Sequence, residues 1–290
     1  MFKKFSNSWA LFKASLEVLR QDRELLWFPV LSSLAALVVV ASFVVPAIFW
    51  GVSVPEPQQG EQLPLGFYLG VLAFYIVLYF VIFFFNTALV GAAMIRLDGG
   101  DPTVSDGLRI ARERVGAIFG YAVIASTIGL LLQAIEERVG VVGKVIVGLL
   151  GASWTAASFL VVPVLVTRDV GPVDAVKESV LLLKKSWGEN IIGHLGLGAV
   201  FIVVYFALFA IFALMAVPLA SLGTGTGATL PVGMVALGIV AIPTLLLVAV
   251  VQSALTGIYS AALYRYSTDH KAVGGFSSEL LGSAFRAKGQ

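Results

Sequence analysis

Residues 66–95 run without a single Asp, Glu, Lys or Arg. As a helix at ~1.5 Å per residue this stretch outruns a hydrocarbon core of ~30 Å, so it must tilt or protrude. Five further apolar runs are long enough to cross: 25–50, 117–135, 141–166, 191–217 and 232–264. Only one of them, 141–166, contains a charge, Lys144, near enough to its end to snorkel. With 59% hydrophobic and 12% charged residues and a mean hydropathy of +0.96, the chain has too little polar surface to wrap a soluble core. The expected fold class is all-α: a polytopic membrane helix bundle of six transmembrane helices in one domain, 1–290, with cytoplasmic interfacial amphipathic helices. The first run is too long for a signal-peptide core and is expected to stay as a span, with no lipid anchor at either end.

Three charged segments interrupt the apolar runs with one pattern. In 171–190, Val173, Val176, Val180, Leu183 and Trp187 recur at helical spacing, with Asp174, Lys177, Glu178, Lys184 and Lys185 largely off that stripe. Gly171 followed by Pro172 supplies a cap and a proline at the first helical position. In 1–24 the stripe is Phe2, Phe5, Trp9, Phe12, Leu16 and Leu19, set against Lys3, Lys4, Lys13 and Arg20. In 101–116, opening at Asp101 and Pro102, it is Val104, Leu108, Ala111 and Val115, set against Arg109, Arg112 and Arg114. Each reads as a helix lying in the membrane interface and feeding the next span.

Seventeen of the nineteen Lys and Arg fall in 1–24, 96–116, 168–187 and 265–290, leaving Arg138 and Lys144 for the opposite side. The positive-inside rule then puts both termini in the cytoplasm of a cell whose plasma or inner membrane the chain crosses. Loops at 51–65 and 222–228 fall outside, and so does the turn at Glu136, Glu137 and Arg138. The glycines of 222–228 lack the strand and the Lys-Ser/Thr of a phosphate loop, which makes that segment a linker.

The segments also align. Gly107 through Gly116 match Ser179 through Gly188 at a shift of 72, and Ser15 through Asp22 fit the same register more loosely. The exits of the second and sixth runs rhyme as well: Asn86-Thr87-Ala88-Leu89-Val90-Gly91 and Gln252-Ser253-Ala254-Leu255-Thr256-Gly257. A threefold internal repeat is expected, each unit an interfacial helix, an outgoing span and a returning span. The units are 1–97, 98–167 and 168–265, followed by a tail 266–290 in which Phe276, Leu280 and Phe285 could line a last surface helix.

No catalytic constellation emerges. Zero Cys removes thiolate metal sites and cysteine nucleophiles, His194 and His270 are too few for a histidine metal centre, and no span carries a carboxylate for ion coupling. No metal, cofactor or nucleic acid is implied. The polar candidates at depth are Asn86, Thr87, Trp154, Thr155, Gln252 and Ser253, which the repeat would gather around one axis as a conduit or, more commonly, as interhelical hydrogen-bond glue. Lys3, Lys4, Lys13, Arg109, Arg112, Lys177, Lys184, Lys185 and His194 are the candidates for contact with anionic lipid headgroups or a protein partner. Pro163 and Pro243 are expected to kink the spans that hold them.

The opening Ser8-Trp9, Lys13, Ser15, Asp22, Glu24-Leu25-Leu26 and Phe28-Pro29, and the closing Ala262-Leu263-Tyr264-Arg265-Tyr266 with Gly275-Phe276 and Phe285, resemble a prokaryotic multi-pass membrane family known only as a domain of unknown function. That resemblance implies a six-span inner-membrane protein over the whole chain and no functional residue. The helix-plus-hairpin repeat is more distantly similar to membrane domains attached to some glycerophosphodiester phosphodiesterases, a likeness of fold alone. The expected role is non-enzymatic: a membrane scaffold or accessory subunit, docking a partner or organising lipid. The alternative is a small permease or channel for an uncoupled or lipid-like solute.

Overall fold

The computed structural model describes residues 2–49, 64–187, 195–220, 232–269 and 276. Among them, α1 (Phe2–Gln21) is followed by a 3-10 turn (Arg23–Leu26), α2 (Trp27–Phe49), α3 (Leu65–Leu97), α4 (Val104–Glu113) and α5 (Val115–Glu136). Then come α6 (Val141–Ser158), α7 (Val161–Thr167), α8 (Pro172–Trp187), α9 (Leu195–Ala220) and α10 (Val232–Asp269). Six helices are long and apolar enough to cross a membrane, counting α6 and α7 as one span, Val141–Thr167. The chain is a multi-pass membrane protein with no strand among the described residues.

The spans come as outgoing and returning partners: α2 with α3, α5 with α6, and α9 with α10 pack side by side. The ends of the three returning spans, α3, α7 and α10, meet one another at one end of the bundle. There Ala88, Leu89, Val90 and Ala93 of α3, Leu160 just before α7, Val161 and Val164 of α7, and Leu255, Ile258, Ala261 and Ala262 of α10 are all shut away from solvent. Small residues let the helices close up, as membrane helices must when lipid tails give no hydrophobic advantage to association. At Gly257 an added Cβ would sit 2.5 Å from Leu89 Cδ2. Toward the other end large apolar side chains are exposed, as at Leu65, Val141, Leu214 and Ile239.

The short helices ring the packed end in cyclic order. α4 docks on α3 and α8 on α7, the returning span just before each, whereas α1 packs chiefly on the outgoing span α9 and also on the returning span α10. Aromatic contacts fasten the first two pairs, with Phe43 against Phe74 between α2 and α3, and Phe83 against Tyr121 at 4.6 Å between α3 and α5.

Several expectations from the sequence shift. Residue Pro218 lies inside α9, not beyond it, and α10 runs on to Asp269 rather than stopping near 264. Pro243 sits within an unbroken α10. The fourth span does break, between Ser158 and Val161, because Pro163 has no N–H for the carbonyl four residues before it. Phe276 is buried in the core rather than on a surface helix, and Leu280 and Phe285 lie outside the described residues.

Candidate functional site

The ring of α1, α4 and α8 is the arrangement with most chemistry on it. Register makes it regular: Ser15, Gly107 and Ser179 occupy matched positions and are all buried, and one turn later so are Leu19, Ala111 and Leu183. These small-residue seams face the bundle. At Gly107 the approach is close enough that an added Cβ would lie 2.5 Å from Phe28 Cζ and 2.6 Å from the Ala88 carbonyl oxygen. The larger apolar residues sit to one side of each seam: Phe12 and Leu16, Val104 and Leu108, Val176 and Val180 are all half-buried. At about 100° per residue they lie roughly a quarter turn from the seam. This corrects the stripe expected for 171–190, since the docked face centres on Ala175 and Ser179 while Val173 is left 53% exposed.

Caps hold the helices in place. Thr103, not Asp101 or Pro102, caps α4: its hydroxyl accepts from Asp106 N at 3.2 Å, and the Asp106 carboxylate accepts from Thr103 N at 3.0 Å. The Thr103 hydroxyl also donates to that carboxylate at 2.6 Å, and this bond, followed by the one from Thr103 N, holds the Asp106 carboxyl below its usual pKa. Glu24 accepts from Val104 N at 3.0 Å, tying the first turn of α4 to the start of the first span. Pro172 opens α8 as expected and rests on α5, where a Cβ at Gly120 would meet Pro172 Cγ at 2.8 Å.

Ser179 does more than fill space. Its hydroxyl donates to the Ala157 carbonyl at 2.5 Å and accepts from Leu160 N at 3.2 Å, so α8 supplies the hydrogen bonds that the break between α6 and α7 removes. Nothing in the sequence marked Ser179 for this, although its match to Gly107 and Ser15 as a small residue amid larger ones was a usable signal.

Ion pairs link the ends of the helices. Arg265 pairs with Asp98, Arg114 with Asp169, and Arg168 with Glu178. Thr167 and Arg168 both donate to the Tyr264 hydroxyl, at 2.7 and 3.4 Å, joining α7 to α10. Arg96 reaches Gln21 at 3.4 Å and Asp101 at 3.6 Å. Between them, buried Asp22 accepts from Glu24 N at 3.1 Å through Oδ1, while its Oδ2 has no hydrogen-bond partner among the described residues. Burial pushes this carboxyl above its usual pKa, against the pull of the Glu24 N–H and the Arg96 charge.

The six polar residues at depth do not all turn toward one axis. Thr87 is buried but donates to Phe83 O of its own helix at 2.7 Å. Thr155 is exposed and donates to Gly151 O at 2.9 Å, and Ser253 is exposed as well. Gln252 accepts from the Tyr205 hydroxyl at 2.7 Å, joining α10 to α9. Asn86, half-buried, faces Gly257 of α10, where Oδ1 lies 3.7 Å from the position of an added Cβ, and Trp154 packs partly against the core.

Of the candidate headgroup contacts, Lys13 lies over the Trp9 ring at 5.7 Å and Lys177 pairs with Asp174 at 3.0 Å. Arg109 pairs with Glu113 at 3.3 Å and with Asp106 at 3.6 Å. Arg112 and Lys184 are exposed. The side chains of Lys3, Lys4 and Lys185, and all of His194, lie outside the described residues.

The model of a family of unknown function, DUF6159, matches residues 65–275. The chain belongs to this family. The closing residues 262–266 fall inside the family's match, while the opening residues 8–29 precede it, so the likeness covers most of the chain and not all of it. No curated protein and no solved structure matches the chain.

Proposed function

We propose that this protein is a non-enzymatic membrane scaffold or accessory subunit whose ring of short helices docks a partner or organises lipid at the cytoplasmic face of the cell membrane. The observation that carries this reading is the filling of the axis. Where α3, α7 and α10 converge, the centre is occupied by Leu89, Val90, Val161, Leu255 and Ile258, and a solute path would need that space. Meanwhile Thr87 and Thr155 spend their hydroxyl hydrogen bonds within their own helices, and Gln252 spends its own on Tyr205 of α9, as interhelical glue does. The cyclic docking of α1, α4 and α8, with matched seams, supports a threefold repeat of helix, outgoing span and returning span.

A reconstitution test separates this from the permease reading. The full chain in sealed liposomes should pass glycerol and carboxyfluorescein no faster than empty liposomes do. Flux through the wild type that disappears in a folded variant carrying Asn86→Leu and Gln252→Leu would replace the scaffold with a conduit.

A further inference from the structure

The cations of the packed end divide into two sets. Arg96, Arg109, Arg114, Arg168, Lys177 and Arg265 each hold a carboxylate of the protein. Lys13, Arg20, Arg23, Arg112 and Lys184 are exposed and have no ion-pair partner among the described residues. Three of them, Arg20, Arg112 and Lys184, are not scattered. Each stands five residues after the buried small residue of its own helix, after Ser15, Gly107 and Ser179 in turn.

Geometry then fixes the order of faces around every one of the three helices. Taking the buried seam as origin, the half-buried apolar pair lies at about 60° and 100° and the cation at about 140°. The sequence of faces is thus bundle, apolar stripe, basic side chain, always in the same direction of rotation. An apolar stripe that meets acyl chains and carries an unpaired cation on its polar margin is how a helix seated in a membrane interface presents charge to headgroups. In α1 the same margin also carries Lys13 and the exposed edge of Trp9.

We propose that Arg20, Arg112 and Lys184 mark three quasi-equivalent sites for the phosphate of an anionic phospholipid, arranged about the axis of the bundle. The lipid's acyl chains lie along Phe12 and Leu16, Val104 and Leu108, or Val176 and Val180, and its phosphate pairs with the cation beside them. This rests on the reading of the ring as a helix belt at the membrane surface and names the ligand of that belt.

The test is native mass spectrometry of the full chain in detergent mixed with equal amounts of phosphatidylglycerol and phosphatidylcholine. Up to three phosphatidylglycerol molecules should be retained, with a preference of about five-fold for each site. Arg20→Gln, Arg112→Gln and Lys184→Gln should each remove one retained anionic lipid, and the triple variant should bind the two lipids alike. A variant with Arg109→Gln and Lys177→Gln, whose cations are already paired, should keep the wild-type pattern. Equal retention of both lipids by the wild type, or equal loss in the paired-cation variant, overturns the sites. Liposome flux is read on the same preparations: sealed vesicles without headgroup preference sink the lipid sites alone, and leaky vesicles with it sink the scaffold alone.

Discussion

At the scale of single residues, the positions that decide the assembly are the ones with least side chain. Gly107 is a sharp case in the packed end, because the nearest atoms to an added Cβ include a backbone carbonyl oxygen, which cannot rotate away. Alanine gains about 1 kcal/mol over glycine as a helix former. Overpacking a tight contact costs about 1–3 kcal/mol, and here the contact fixes α4 against α3. Gly107→Ala should therefore lower the thermal midpoint in detergent, whereas Gly148→Ala, with open space around its Cβ, should leave it unchanged or raise it slightly. Fluorescence-detected thermal denaturation of the two variants side by side checks the contrast. Equal midpoints would mean that α4 does not depend on the seam. A sequence read for apolar stripes passes over such a glycine, since hydrophobic periodicity rewards bulk and says nothing about how near two backbones come.

At the scale of elements, existence was legible and facing was not. All six spans and all three short helices were visible from charge-free length and from 3.6-residue periodicity, since lipid forces every backbone group to be paired within a helix. What periodicity cannot give is which of two adjacent faces meets protein when the other meets lipid, because both reward apolar side chains. That is why the stripe of α8 was placed a quarter turn from the face that docks, and why Thr155 and Ser253 were gathered to an axis they do not face. The two prolines teach a related lesson. Pro163 stands near a break and Pro243 within a continuous helix, and at the first site α8 brings a hydroxyl that satisfies groups the break frees. Ser179→Ala removes that hydroxyl and leaves the Ala157 carbonyl and the Leu160 N–H without it, at a cost of about 1–3 kcal/mol. The expected result is a lower midpoint and faster amide exchange around residues 157–161. Unchanged exchange there would show that the break is held by the bundle without α8.

At the scale of the whole molecule, the ring gives the bundle two unlike ends, and the proposed orientation assigns them to compartments by charge. The end bearing α1, α4 and α8 collects the exposed Arg20, Arg112 and Lys184 and the paired Arg96, Arg114, Arg168 and Arg265, while the turn between α5 and α6 carries Arg138 alone, with Lys144 one turn into α6. Basic segments this lopsided are retained on the cytoplasmic side during insertion. With no cysteine anywhere in the chain, single cysteines can be introduced on a clean background. Lys13→Cys, on the exposed face of α1, should resist a membrane-impermeant maleimide in intact cells and react once the membrane is opened. Arg138→Cys should react in intact cells. Because α1 docks on α9 and α10, and α4 on α3, the ring moves as part of the bundle and the two labels must report opposite sides. Labelling of Lys13→Cys from outside would invert the molecule and put Arg20, Arg112 and Lys184 on the face where no anionic leaflet draws them.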